Sequence, residues 1–203
     1  MIPFMHEKLR MALASYLGKT ITPDVAVLIE TYVMGATDFS YAPSLFGSRK
    51  YKKMTFQCER FADIVGDLEK CHRQHYCETE LYRRGLPLDP KYDQICDLER
   101  MGQAVQFTAR TESGDLAGNI LMYINTSLHT DSLIANEDTL YIKPEYRKGF
   151  MAVRFMQFVE DSLQLIGVKE IFTDSKTVNS AHRLVEYLGY KHVANRYAKV
   201  FGE

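Results

Sequence analysis

The sequence predicts an α/β protein: a mixed α+β sheet with helices on both faces, preceded by a helical extension. Three features carry that prediction. From Met54 onward, segments with strand alternation take turns with segments of helical periodicity. The polar turn Thr111-Glu112-Ser113-Gly114-Asp115 separates two strand-like segments, as a hairpin requires. Ala152, Phe155, Met156, Val159, Leu163 and Ile166 form one face of a strongly amphipathic helix, with Arg154, Gln157, Asp161 and Gln164 on the other. Hairpin strands followed by a strand-helix-strand-helix-strand series assemble into a mixed sheet covered on both sides.

The elements follow in order. Phe4, Met5, Leu9, Leu13, Tyr16 and Leu17 recur near helical spacing, and Gly18 can stop that helix. Thr22 is a suitable N-cap and Pro23 a suitable first residue for a second helix through Val25 to Met34. Residues 35–53, with Gly35, Pro43, Gly47 and the basic run Arg49, Lys50, Lys52 and Lys53, read as a solvated connecting loop rather than a nucleic-acid contact. The chain therefore divides into an extension and linker, 1–53, and a main domain, 54–203. In the latter a strand at Met54 to Cys58 precedes a long helix from Phe61 to Tyr82, a breaker from Gly85 to Pro90, and a shorter helix ending near Arg100. Val105, Phe107 and Ala109 alternate with polar residues in the first hairpin strand; the second spans Leu116 to Ile124, and a third strand runs from Leu133 to Ile142. Pro144 ends it. After the amphipathic helix, Gly167 introduces a strand at Glu170 to Thr173, a helix at Val178 to Leu188, and a closing strand from about Tyr190.

Composition narrows the function. With 46% apolar and 25% charged residues among 203, the chain can build one sizeable core. Lys and Arg number 25 against 26 Asp and Glu, so no overall positive field would hold it on nucleic acid or an anionic membrane. The longest apolar run, Val25 to Ile29, falls far short of the ~20 residues that span a bilayer. No basic segment, apolar stretch and small-residue cleavage site open the sequence, so a cytoplasmic location and reduced Cys58, Cys71, Cys77 and Cys96 are expected. Cys71, His72, His75 and Cys77 crowd together, but on a helix Cys77 leaves the face shared by Cys71 and His75, and no second pair follows at zinc spacing. No metal site is expected.

The segment that carries chemistry is Asp138-Thr139-Leu140-Tyr141-Ile142-Lys143-Pro144-Glu145-Tyr146-Arg147-Lys148-Gly149-Phe150-Met151-Ala152. A strand ends at proline, turns through a basic loop containing glycine, and enters the amphipathic helix. Such a turn aims free N–H groups and the positive helix end at one point, where a phosphate or pyrophosphate fits. Arg147 and Lys148 add charge, and Gly149 and Ala152 permit close approach to the backbone. The same residues also suit an ordinary strand-to-helix turn with a basic surface.

This segment resembles the acetyl-CoA signature of the GCN5-related N-acetyltransferase (GNAT) superfamily. Leu140-Tyr141-Ile142 is similar to its strand end, Pro144-Glu145-Tyr146-Arg147 to its link, and Arg147 to Ala152 to its phosphate loop. Arg147 and Ala152 fall on family positions, Phe150 replaces the central glycine, and Gly149 stands one place early. The Tyr-Arg-Lys-Gly form resembles a branch frequent in bacteriophage genomes. A second resemblance lies in Asn179 to Tyr190, similar to the family motif beside the pantetheine arm: Ala181 and Leu184 match, the asparagine is one residue late, and Val185 stands where a tyrosine is usual.

The resemblance implies the GNAT fold, acetyl-CoA as cosubstrate, and an amine acceptor that attacks directly in a ternary complex. A host protein is among the candidate acceptors. It assigns cofactor contacts to Leu140, Tyr141, Ile142, Arg147, Lys148, Gly149, Phe150, Met151, Ala152 and Asn179. Glu137 or Asp138 would take the amine proton, alternating in face unless a bulge intervenes; ordinary strand-end acids are the equal alternative. Tyr187 or Tyr190 would protonate the leaving thiolate, or serve as core aromatics. His75 and Glu78 lie on the helix expected above the acceptor groove. The rival reading is a GNAT-fold protein that binds a partner without turnover; a phosphoryl-transfer enzyme lacks its Walker loop. The apolar stripe of the extension must pack either on its own chain or against a second copy as a homodimer.

Overall fold

The computed structural model describes residues 13, 16, 18–34, 40–80 and 86–201. The first expected helix lies outside these except for Leu13 and Tyr16. Helix α1, Pro23–Met34, begins as its sequence suggests, with Thr22 Oγ1 accepting the Val25 N–H at 3.3 Å. Val25 and Leu28 are buried, and Lys19 Nζ donates to the Leu165 carbonyl at 2.9 Å, so the extension touches the main domain of its own chain.

The stretch expected to be a loop contains structure. A 3₁₀ turn, Pro43–Phe46, drives Phe46 edge-on against Phe107 at 5.6 Å, and strand β1, Ser48–Tyr51, pairs antiparallel with β2, Met54–Cys58. The basic run that suggested a solvated linker is a charged edge strand and its hairpin turn. Positive side chains on an edge strand discourage further pairing, so the two look alike in composition. Arg49 is held to Asp161 at 2.7 Å, and its guanidinium lies 5.5 Å from the Phe158 ring centre.

Helix α2, Phe61–Thr79, and α3, Tyr92–Arg100, cover one face of the sheet; Glu99 of α3 caps α2 by accepting the Phe61 N–H at 2.8 Å. Strands β3 (Ala104–Thr111), β4 (Leu116–Thr126) and β5 (Leu133–Ile142) follow as an antiparallel meander. Helix α4, Met151–Leu165, covers the opposite face with Phe155, Met156, Val159 and Leu163 against Phe56, Phe107, Ile120 and Met122. Strand β6, Glu170–Phe172, pairs parallel with β5, giving a six-stranded mixed sheet in the order β1-β2-β3-β4-β5-β6. The expected mixed sheet with helices on both faces is present.

The C-terminal part differs from expectation. Helix α5 is confined to His182–Tyr187, because Asn179 Oδ1 accepts the Ala181 N–H at 3.0 Å in a turn that delays the helix. The closing strand from Tyr190 is not formed: residues 190–200 carry no regular structure, with Val193 74% and Tyr197 88% exposed. A three-residue β6 offers too short an edge to hold a long additional strand.

Candidate active site

The site begins where β5 and β6 part. Their pairing covers only Ile134 to Asn136 against Glu170 to Phe172, so β5 from Glu137 to Ile142 has no strand on that side. On the other side it packs closely against β4: a Cβ at Gly118 would meet the Tyr141 carbonyl oxygen at 2.8 Å. A bulge sits at the branch point. Leu121 aligns with Thr139 and Met122 with Glu137, which leaves Asp138 as the extra residue.

That bulge separates the two candidate bases. Glu137 opposes Met122 on the α4 side, where Thr173 Oγ1 donates to its carboxylate at 2.8 Å and the Asp174 N–H adds a second bond. Loss of solvent around the carboxyl outweighs both bonds, and with the nearby Asp138 and Asp174 charges it pushes Glu137 up to about 7. Asp138 is exposed, accepts a bond from Thr139 Oγ1 at 3.0 Å, and acts on the α2 side: its charge reaches His75 and adds to the burial that pushes Tyr123 up to about 12. The His75 ring stands 5.6 Å from that of Tyr141, and burial depresses its pKa, so it is neutral near pH 7.

At the far end of β5 the chain passes through a 3₁₀ turn, Pro144–Tyr146, to α4. Gly149 takes φ 63°, a conformation glycine adopts without strain. The first helical bond of α4 runs from the Arg154 N–H to the Phe150 carbonyl at 2.9 Å, and no side chain caps this end. The N–H groups of Met151, Ala152 and Val153 thus lie at an open, positive helix terminus. Lys52, from the β1–β2 turn, brings its ammonium to 3.7 Å from where a Gly149 Cβ would lie. Phe150, in place of the usual glycine, is 52% exposed and leans on the Tyr187 ring at 6.1 Å. These features fit a diphosphate: an uncapped helix end, a turn without a side chain at Gly149, and a cation beside it.

Arg147 is engaged by its own chain. Its Nε donates to the Ile142 carbonyl at 2.6 Å, its Nη2 donates to both oxygens of Glu78 at 3.0 and 2.8 Å, and its guanidinium lies 5.3 Å from the Tyr141 ring centre. Leu140 and Ile142 face the α4 core and Tyr141 the α2 core. Asn179 is occupied as a turn cap, and Tyr187 is exposed. The Tyr190 hydroxyl is buried beside Glu160 of α4, and burial and that carboxylate both raise its pKa, so the phenol stays protonated. It lies close enough to Glu137 to feel its charge.

Glu137, Tyr190, β5 and the head of α4 are therefore brought to one split in the sheet, with Asp138 and His75 on its other side. Lys52, Thr173 and Glu160 were missed by sequence reasoning. Lys52 had a signal, the basic run, which was assigned to a linker; Thr173 and Glu160 carry none, since only the tertiary fold sets them beside an acid and a phenol.

No protein-family model matches the chain, and no curated protein sequence matches it. Solved structures do. A ribosomal-protein-alanine N-acetyltransferase from Brucella melitensis biovar Abortus 2308 is 16% identical, with a TM-score of 0.60 over 74% of this chain and 100% of that one. Glucosamine-6-phosphate N-acetyltransferase from Arabidopsis thaliana is 14% identical, with a TM-score of 0.55 over 74% and 100%. AAC(6')-Iy in complex with a CoA bisubstrate analog is 15% identical, with a TM-score of 0.56 over 73% and 99%. The six-stranded mixed sheet, split between its last two strands and clasped by helices on both faces, is the fold of the GNAT acyltransferases.

Proposed function

We propose that this protein is an N-acetyltransferase that moves the acetyl group of acetyl-CoA to an amine. The observation that carries the reading is the split between β5 and β6, with a carboxyl poised near neutrality at its fork and an uncapped helix at its mouth. Acetyl-CoA would lie along β5 with its thioester near Glu137 and its pyrophosphate at the N–H groups from Gly149 to Ala152. Lys52 and Lys148 add positive charge there, and the backbone of Leu140, Tyr141 and Ile142 holds the pantetheine arm. Phe150 and Tyr187 give apolar cover, and Asn179 flanks it from the turn before α5.

Glu137 in its ionised form takes one proton, directly or through water, from the acceptor ammonium, and the neutral amine then attacks. The amine nitrogen bonds to the acetyl carbon, the C–S bond breaks, the thiolate leaves with a proton from Tyr190, whose phenol is held protonated, and the second nitrogen proton returns through solvent to the tyrosinate. Tyr187 is the alternative acid, and Asp138, on the α2 face, guides the incoming cation. The sequence resemblance to bacteriophage-encoded members is the support for reading this activity in a host cytoplasm, with a host-protein amine as one acceptor. The neighbours named above act on three different amines, so acceptor choice lies in the surface around the split rather than in the fold.

The test is release of CoA thiol from acetyl-CoA in the presence of an alanine-initiated peptide, glucosamine 6-phosphate and an aminoglycoside. Amine-dependent release supports the reading. Val185, in place of the family tyrosine, favours a second reading, a partner-binding protein; cofactor binding with no release to any amine would establish that one.

A further inference from the structure

The C-terminal end of α2 is moored to both branches of the split sheet. Glu78 bonds Arg147, which follows β5, and Glu80, the residue that ends α2, bonds Lys176, which follows β6, at 2.7 Å. Just before these moorings α2 lays His75 against Tyr141, on the face of β5 that Asp138 also occupies. The first mooring is unusually complete. One guanidinium takes both carboxylate oxygens of Glu78, the carbonyl that ends β5, and the face of Tyr141. An exposed ion pair on its own contributes ~0–1 kcal/mol, and this one is partly exposed on both sides. What the arrangement supplies is geometry: Nε on the Ile142 carbonyl and Nη2 on both Glu78 oxygens tie the end of β5 to the end of α2 through one planar group.

We infer that Arg147 is a positioning residue, fixing α2 over the split through Glu78, and not a ligand of the cofactor phosphates. The inference rests on the acetyl-transfer reading, in which the amine enters along the wall that α2 forms and the thioester lies on β5. The phosphate loop then works through its backbone, with Lys52 as its cation, and the arginine that sequence alone assigns to the pyrophosphate faces away to hold the acceptor side in register with the donor side. A misplacement of about 1 Å between reacting groups costs a large factor in rate, so a bond that sets this distance matters more for turnover than for stability.

The experiment compares the full-length parent with Arg147→Gln, Glu78→Gln, the double variant and the exchanged pair Glu78→Arg with Arg147→Glu. Acetyl-CoA affinity is read by calorimetry, and thiol release, to the three amines above or to water, is read as kcat and KM. Arg147→Gln and Glu78→Gln should each lower kcat/KM about tenfold with acetyl-CoA Kd within about twofold of the parent. The double variant should lose no more than either single one, and the exchanged pair, which restores the ion pair but not the bond to the Ile142 carbonyl, should recover only part of the loss. Retained turnover in Glu78→Gln alongside lost acetyl-CoA affinity in Arg147→Gln would make the guanidinium a phosphate ligand and overturn the inference alone. A parent that binds no acetyl-CoA would remove the acetyl-transfer reading and the positioning role with it.

Discussion

A single carboxyl group concentrates the chemistry. Glu137 is held near 7 against an ordinary value of 4.5, mainly because the fold strips water from it faster than Thr173 and Asp174 replace it. As the proposed base it would work ionised, so kcat/KM should rise with pH through about 7 and level off above. Glu137→Gln should remove that limb and lower kcat by ~10² to 10⁴ with acetyl-CoA affinity nearly intact; a pH–rate profile of both proteins checks this. The same shift acts on stability. A group whose folded pKa is raised favours the folded state below its unfolded pKa and loses that contribution as pH rises through the folded value, a cost of up to about 3 kcal/mol here. Glu137→Gln should therefore raise the melting temperature at pH 8 and change it little at pH 4. Both acids were legible in the sequence as a pair, but their division of labour was not. One extra residue in a strand leaves no mark on composition, and it alone decides that Glu137 faces Thr173 while Asp138 faces α2.

At the scale of elements, legibility followed periodicity. Helix α4 and strand β3 were readable because apolar residues recur on one face of each, and β4 and β5 because they are largely apolar runs bounded by turn residues. Strand β1 was hidden because an edge strand bearing Arg49 and Lys50 has the composition of a linker, and the closing strand was expected where Tyr190 packs on the core but residues 191–200 carry no regular structure. The hairpin that β1 makes is also what delivers Lys52 to the Gly149 turn before α4. Lys52→Ala should weaken acetyl-CoA binding by about three- to tenfold, less at high salt, as expected for one exposed cation near a diphosphate; titrations at two salt concentrations measure it. On the opposite face, Glu99 joins two helices by capping the first, and its acidic side chain is almost fully buried. Glu99→Ala should cost about 1–3 kcal/mol in urea unfolding, and Glu99→Gln, which keeps an acceptor for the Phe61 N–H, much less.

The whole molecule is a sheet that forks, with one helix layer following the turn at Gly149 and the other covering the opposite face; on the proposed reading these are the donor side and the acceptor side. The extension belongs to this body, since Val25 and Leu28 are buried and Lys19 reaches the end of α4. Removal of residues 1–39 should lower the melting temperature without changing the sedimentation coefficient class, whereas a homodimer joined through the extension would fall to monomer. A chain starting at Lys53 would also lose β1 and Phe46 and should not fold stably. The central claim, that the open head of α4 holds the pyrophosphate of acetyl-CoA, is tested most directly by calorimetric titration of acetyl-CoA into the parent and into Ala152→Glu. The account predicts micromolar binding to the parent and none to the variant, because a carboxylate would stand where the anion is held. Equal affinity in the two proteins would contradict it.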